Sequence, residues 1–207
     1  MDTIKAEIAA TAARLVVEEG MEYGPAKRRA ARDLRAPLRA GLPDNDTLED
    51  AVREYIAVFC ADTQGAELLA LRQTALVWME RLAEFRPHVG GAVWRGTATS
   101  RSDLHFHLFC DDSKSVEIAL IDKHVAYEAS EMTAFNGKTV SVLHFHARCE
   151  GLRETIGVHL SVMDYDDVRG ALKADAQGRS QRGDAAALRR LMQEKEIEKE
   201  QKEGAHA

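Results

Sequence analysis

The spacing of apolar residues changes near Pro87. Up to about residue 85 they recur with the period of a helix, and beyond Pro87 they alternate as in a strand. Residues 3–19 bring Ile4, Ile8, Ala12, Leu15 and Val16 onto one helical face. Gly20 and Gly24 stop that helix, and Pro25 suits the first turn of the next. In LPDNDTLED, Asp46 is the expected N-cap and Glu49 follows three residues on, as in a capping box. Leu48, Val52, Tyr55, Ile56 and Phe59 then share a face. Thr63 opens a helix reaching about Phe85, with Leu68, Leu71, Ala75, Trp78, Met79 and Leu82 apolar. The pattern predicts a helical bundle over 1–87.

From Asp103 to Phe109, Leu104, Phe106 and Leu108 point one way, and Asp103, His105 and His107 the other. A helix is expected over 113–124, capped by Asp112 or Ser113. Asn136-Gly137 between two alternating runs predicts a type I′ hairpin over 126–148. A further strand spans about Thr155–Met163, and Asp166 opens a short helix. The polar loop ADAQGRSQRGD precedes a last helix from Asp184, whose end EKEIEKEQKEGAHA has no apolar face. The fold class is α+β: an N-terminal helical bundle on a mixed-sheet domain over 88–180, then a C-terminal helix and charged tail over 181–207.

Charge and composition narrow the functional classes. A net charge of −6 disfavours a surface that coats nucleic acid. No apolar run approaches the ~18–20 residues that span a bilayer, and the acidic start lacks a signal-peptide core. Cys60, Cys110 and Cys149 are far apart and odd in number, form no C-x-x-C pair and suggest no disulfide framework. A cytoplasmic protein with reduced thiols is expected, without a membrane partner. Within KRRAARDLRAPLR, Arg28, Arg32, Arg35 and Arg39 would form one stripe if the helix runs past Pro37. Such a stripe is either a solvated face or a site for an acidic or phosphate-bearing partner. The opening AATAARLVVEEGMEYG resembles the first helix of bacterial helix-turn-helix regulators, but no recognition helix follows, so DNA binding is not expected.

The most informative segment is VGGAVWRGTATSRSDLHFHLF, residues 89–109. Its spacing resembles the signature of the nucleotidyltransferase superfamily, the polymerase-beta-like fold. Gly91 and Ala92 occupy the Gly-Ser positions of that signature, and Gly96, Thr97 and Ala98 its second turn. Ser102 and Asp103 occupy Ser-Asp, and His105 stands where the second Asp belongs. The resemblance implies a nucleoside triphosphate as ligand. Gly91, Ala92, Gly96, Thr97 and Ser102 would lie around the phosphates, with Asp103 and His105 at the reacting centre.

Nucleotidyl transfer asks for two Mg²⁺ or Mn²⁺ ions held by carboxylates. Two acids of an Asp-x-Asp reach one face of a strand, and a third comes from a neighbouring strand. Here His105 is a poor ligand for a hard cation. Glu128, His159 and Asp164 are candidates for the third position. The alternatives to transfer are nucleotide binding without catalysis and a non-catalytic interaction module.

The histidines open another reading. Asp103, His105 and His107 share one strand face, His144 and His146 share another, and His159 lies in a third strand. Should these faces adjoin, they form a candidate Zn²⁺ or Ni²⁺ site; otherwise the imidazoles are ordinary sheet residues. Arg169, Lys173, Arg179 and Arg182 surround the last loop, where they bind a triphosphate or pair with Asp166, Asp167 and Asp175. Gly137-Lys138-Thr139 is not a P-loop, because Met132 stands where its first glycine is required. The chain is also similar to short proteobacterial proteins sometimes labelled UDP-N-acetylmuramate–alanine ligase, an activity that needs the P-loop missing here.

Overall fold

The computed structural model describes residues 2–134, 137–175 and 178–204. The chain divides into two compact units, Met1–Leu68 with Thr97–Ser102, and Leu69–Gly96 with Asp103–Ala207. No helix among the described residues is long and apolar enough to cross a membrane.

The helical unit holds α1 (Asp2–Glu19), α2 (Tyr23–Asp33), α3 (Asn45–Phe59) and the start of α4 (Gln64–Arg81). Ile8, Ala12, Leu15, Leu48, Val52 and Ile56 form its core, as their helical spacing requires. Two local expectations are corrected. The cap of α3 is Asp44, not Asp46: its side chain accepts the Thr47 N–H at 2.7 Å. Glu49 therefore does not close a capping box. It is buried, and accepts from Tyr23 Oη at 2.5 Å and Arg53 Nη2 at 2.9 Å.

The arginine stripe is also cut. The Ala36 N–H donates to Ala31 O and the Arg35 N–H to Arg32 O, and Arg35 takes a left-handed φ of 51°. That pattern closes a helix, and Pro37 prevents its resumption. Arg28 and Arg32 are on α2, while Arg35 and Arg39 lie beyond it.

The second unit is built on a six-stranded sheet of order β3-β4-β5-β2-β1-β6. Its strands are β1 (His88–Gly90), β2 (Leu104–Cys110), β3 (Glu128–Thr133), β4 (Thr139–Cys149), β5 (Glu154–Asp164) and β6 (Arg182–Gly183). Among the described residues only the β2–β5 pair is parallel, so the sheet is mixed. The chain is thus α+β, with α5 (Gly91–Arg95), α6 (Ser113–Asp122), α7 (Val168–Ala171) and α8 (Ala185–Gly204) as its later helices.

Alternation gives the sheet two unlike faces. Leu104, Phe106, Leu108, Leu143, Phe145, Val158 and Leu160 are buried on one. Trp78 of α4 packs on Phe145 there, with ring centroids 4.6 Å apart. The other face carries the histidines. Toward one end it becomes apolar, where Phe109, Val140 and Met163 are buried with Ala171 of α7.

The β3–β4 hairpin closes on Ala134 and Lys138, the Ala134 N–H donating to Lys138 O at 2.8 Å. Gly137 takes a left-handed φ of 79°, while Asn136, and with it the expected type I′ turn, lies outside the described residues. Asp112 caps α6 as expected. Asp164, not Asp166, caps the turn before α7, accepting the Asp166 N–H at 3.0 Å. Arg182 and Gly183, within the stretch read as a polar loop, form β6 at the sheet edge.

Candidate functional site

Strand register places three imidazoles side by side. His144 of β4 pairs with His159 of β5, and His159 pairs with His105 of β2. The rings of His105 and His159 stack with centroids 4.7 Å apart and an interplanar angle of 22°. His144 meets His159 edge-on at 5.0 Å.

Hydrogen bonds thread this row. Ser130 Oγ is 2.6 Å from His144 Nε2, His144 Nδ1 is 2.7 Å from His159 Nδ1, and His159 Nε2 is 3.0 Å from Asp103 Oδ2. The Gly157 N–H donates to Asp103 Oδ1 at 2.9 Å. With an ionised Asp103 and neutral rings, one assignment of protons satisfies every contact. His159 Nε2–H donates to Asp103, His144 Nδ1–H donates to His159, and Ser130 O–H donates to His144 Nε2.

The electrostatics agree with that assignment. The His159 hydrogen bond, helped by the Gly157 N–H, holds the Asp103 carboxyl below its usual range, against the opposing effect of its desolvation. Partial burial and then the neighbouring His159 push His144 down, so it remains an unprotonated acceptor at neutral pH.

His107 stands one rung from this row, in register with His88. Desolvation first, then Arg182, His105 and His88, push its pKa down to about 3. Its Nδ1 is buried without a hydrogen-bond partner among the described residues. Arg182 Nε and Nη1 are in the same condition, and burial lowers that guanidinium's pKa as well. On β6 Arg182 pairs with Gly90. His146, opposite Gly157, is exposed.

The glycine turn adjoins these groups. Gly91 takes a left-handed φ of 63° as α5 begins, which a side chain would strain. A Cβ on Gly91 would stand 3.6 Å from His105 Cδ2, and one on Gly90 would stand 3.6 Å from Arg182 Cβ. Ala92 lies in α5, and Gly96 ends it with φ 84°. Thr97 and Ser102 belong to the helical unit, where Thr97 is buried with its Oγ1 3.5 Å from Glu49 Oε1, and Ser102 Oγ accepts the Thr99 N–H at 3.0 Å.

The donor set does not suit a two-metal centre for Mg²⁺ or Mn²⁺. Beside Asp103 stand His105 and, on the adjoining strand, His159, and both Asp103 oxygens are engaged. Among the described residues no group of three His, Cys, Asp or Glu side chains is disposed to hold a metal ion. To serve Zn²⁺ or Ni²⁺, His144 and His159 would each have to give up one of the hydrogen bonds that engage both their ring nitrogens. Of the four bases around the last loop, Arg179 pairs with Asp175 at 3.0 Å. Asp167 is met by Lys138 at 3.3 Å. Sequence reasoning missed Ser130 and Gly157, because neither lies in a motif; only the strand register brings them to the histidines.

No protein-family model matches the chain, and no curated protein matches it. Among solved structures, one similar chain is the Cid1 poly(U) polymerase, described in crystal structures on its UTP selectivity and here in its MgGTP-bound form. The likeness has a TM-score of 0.35 at 12% identity, over 52% of this chain and 38% of that one. It is too slight to carry a fold or an activity over to this protein.

Proposed function

We propose that this protein binds a nucleoside triphosphate through its phosphates at the Gly90–Gly91 turn, and that it does so without carboxylate-held Mg²⁺. The carrying observation is Arg182. Its guanidinium nitrogens Nε and Nη1 are buried and have no acceptor among the described residues. Buried donor nitrogens left without an acceptor are costly, by about 1–3 kcal/mol. An anion at this place would offset that cost, and phosphate oxygens match the fork of an arginine.

The surroundings support an anion rather than a cation. His107, beside Arg182, is held neutral, and its Nδ1 can donate if the ring protonates on that nitrogen. Asp103 is directed to Gly157 and His159. The nucleoside part of the proposal rests on the resemblance of residues 91–105 to the nucleotidyltransferase signature. Substitution of its other metal positions by imidazoles favours binding over transfer.

Calorimetry with ATP, GTP and inorganic triphosphate, each in EDTA and in Mg²⁺, tests this. Binding in EDTA, lost in Arg182→Gln, is expected. No heat with any of the three ligands, or binding that appears only with Mg²⁺, would overturn the proposal.

A further inference from the structure

The geometry points to a second chemistry on the same sheet: Ser130 is a nucleophile, activated by His144 at the end of a hydrogen-bonded chain that runs through His159 to Asp103. Its substrates are carboxylic esters with good leaving groups. The inference is independent of triphosphate binding, because it uses neither Arg182 nor the glycine turn.

Three features carry it. The Ser130 Oγ to His144 Nε2 distance of 2.6 Å is that of a nucleophile and its base. The base is in turn oriented, since His144 Nδ1 is fixed at 2.7 Å from His159 Nδ1 and His159 Nε2 at 3.0 Å from Asp103. Finally, every residue of edge strand β3 is exposed, so Ser130 is open to a substrate. A serine that merely fills a sheet position has no need of an acceptor that is itself held twice over.

The chain moves a proton in one direction. As Ser130 Oγ bonds to the ester carbonyl carbon, its proton passes to His144 Nε2. The Nδ1 proton of His144 can then cross to His159 Nδ1. The positive charge is thereby carried to the ring bonded to the Asp103 carboxylate. The tetrahedral intermediate collapses, the ester C–O bond breaks, and the protons return along the chain so that His144 Nε2–H protonates the leaving alkoxide. Water then attacks the acyl-serine, loses its proton to His144, and releases the carboxylic acid with Ser130 restored. Ser130 and His144 touch the reacting atoms; His159 and Asp103 position the base.

Magnitude selects the substrate class. Proton transfer by a positioned base contributes about 10²–10⁴-fold. That suffices for an ester whose leaving group is already stable, and falls far short of what an amide requires.

A fluorophosphonate tests the nucleophile and p-nitrophenyl acetate the turnover. In the wild-type protein, mass spectrometry should find the fluorophosphonate on Ser130 at least about 100-fold faster than on exposed Ser113 of the same molecule. That internal comparison needs no variant. His144→Gln should slow labelling by about 100-fold or more, and Ser130→Ala should abolish acetate release above background. The positioning role has its own signature. The ¹⁵N shifts of His144 should report the Nδ1–H tautomer, and in His159→Phe they should change to the Nε2–H tautomer. Labelling of Ser130 no faster than Ser113, or undiminished in a folded His144→Gln protein, would overturn the inference.

Discussion

The Asp103 carboxylate closes over the backbone of Gly157. The N–H of Gly157 donates to Oδ1 at 2.9 Å, and a Cβ at residue 157 would stand 2.6 Å from the carboxyl carbon. Nothing larger than hydrogen fits there while Asp103 keeps its place. Gly157→Ala should therefore expel the carboxylate and leave His159 Nε2 without its acceptor. The expected cost is about 1–3 kcal/mol, that of breaking hydrogen bonds to a charged group. Urea unfolding measures the cost, and the His159 ¹⁵N shifts report the lost contact. An alanine variant as stable as wild type, with unchanged shifts, would contradict this account of Asp103.

Arg182 should be a burden on the empty protein and an asset to the liganded one. Arg182→Met keeps most of the side chain's bulk and removes a half-buried guanidinium whose buried Nε and Nη1 have no acceptor among the described residues. In anion-free buffer the variant should melt higher, by about 1 kcal/mol in stability. Added triphosphate should stabilise wild type alone, by about 2.7 kcal/mol at a hundred times its dissociation constant. Thermal melts of both proteins across a triphosphate titration check the crossing.

His107 should make the second unit sensitive to acid. Its folded-state pKa of about 3 lies below the 6.5 of a free imidazole. Between those values the unfolded chain takes up a proton that the folded protein refuses. The stability associated with neutral His107 is thus complete above pH 6.5 and falls as the pH drops toward 3. The slope for one proton is about 1.4 kcal/mol per pH unit. Asp103, whose carboxyl is held down, adds loss in the same direction at the acid end. Urea midpoints of wild type and His107→Phe between pH 4 and pH 7 should separate the two, with the shallower slope in the variant.

Within the helical unit, Glu49 is a buried acid held by Tyr23 and Arg53. Glu49→Ala leaves the Tyr23 hydroxyl short of its 2.5 Å acceptor. The expected loss is about 1–3 kcal/mol, and Glu49→Gln should recover part of it. Guanidinium unfolding followed by tyrosine fluorescence measures both. Equal stability of the alanine variant and wild type would show that this network contributes nothing.

Much of the secondary structure was legible because side-chain direction is a local property. The 3.6-residue spacing of Ile8, Ala12 and Leu15 fixed their common face, and the core of the helical unit contains all three. Alternation put Leu104, Phe106 and Leu108 opposite His105 and His107 before any neighbour was known. Single turns were less legible. Asp44 and Asp46 are both good caps, and only the backbone conformation at the helix start selected Asp44. The arginine stripe failed because a left-handed residue at Arg35, followed by Pro37, ends the helix that its spacing assumed.

By itself, the sequence determined that His105 and His107 would share one side of their strand, and His144 and His146 one side of theirs, since alternation along each strand needs no partner. Only the tertiary structure decided which strands adjoin. A parallel β2–β5 pair sets His159 beside His105, and the antiparallel neighbour β4 sets His144 beside His159. Neither pairing follows from local preference, because strand neighbours are chosen by contacts between segments far apart in the chain. For the same reason β6, two residues long, has no period to read, yet it carries Arg182 to Gly90. Ser130 was one polar residue among many on an exposed strand until the β3–β4 register put its hydroxyl against His144.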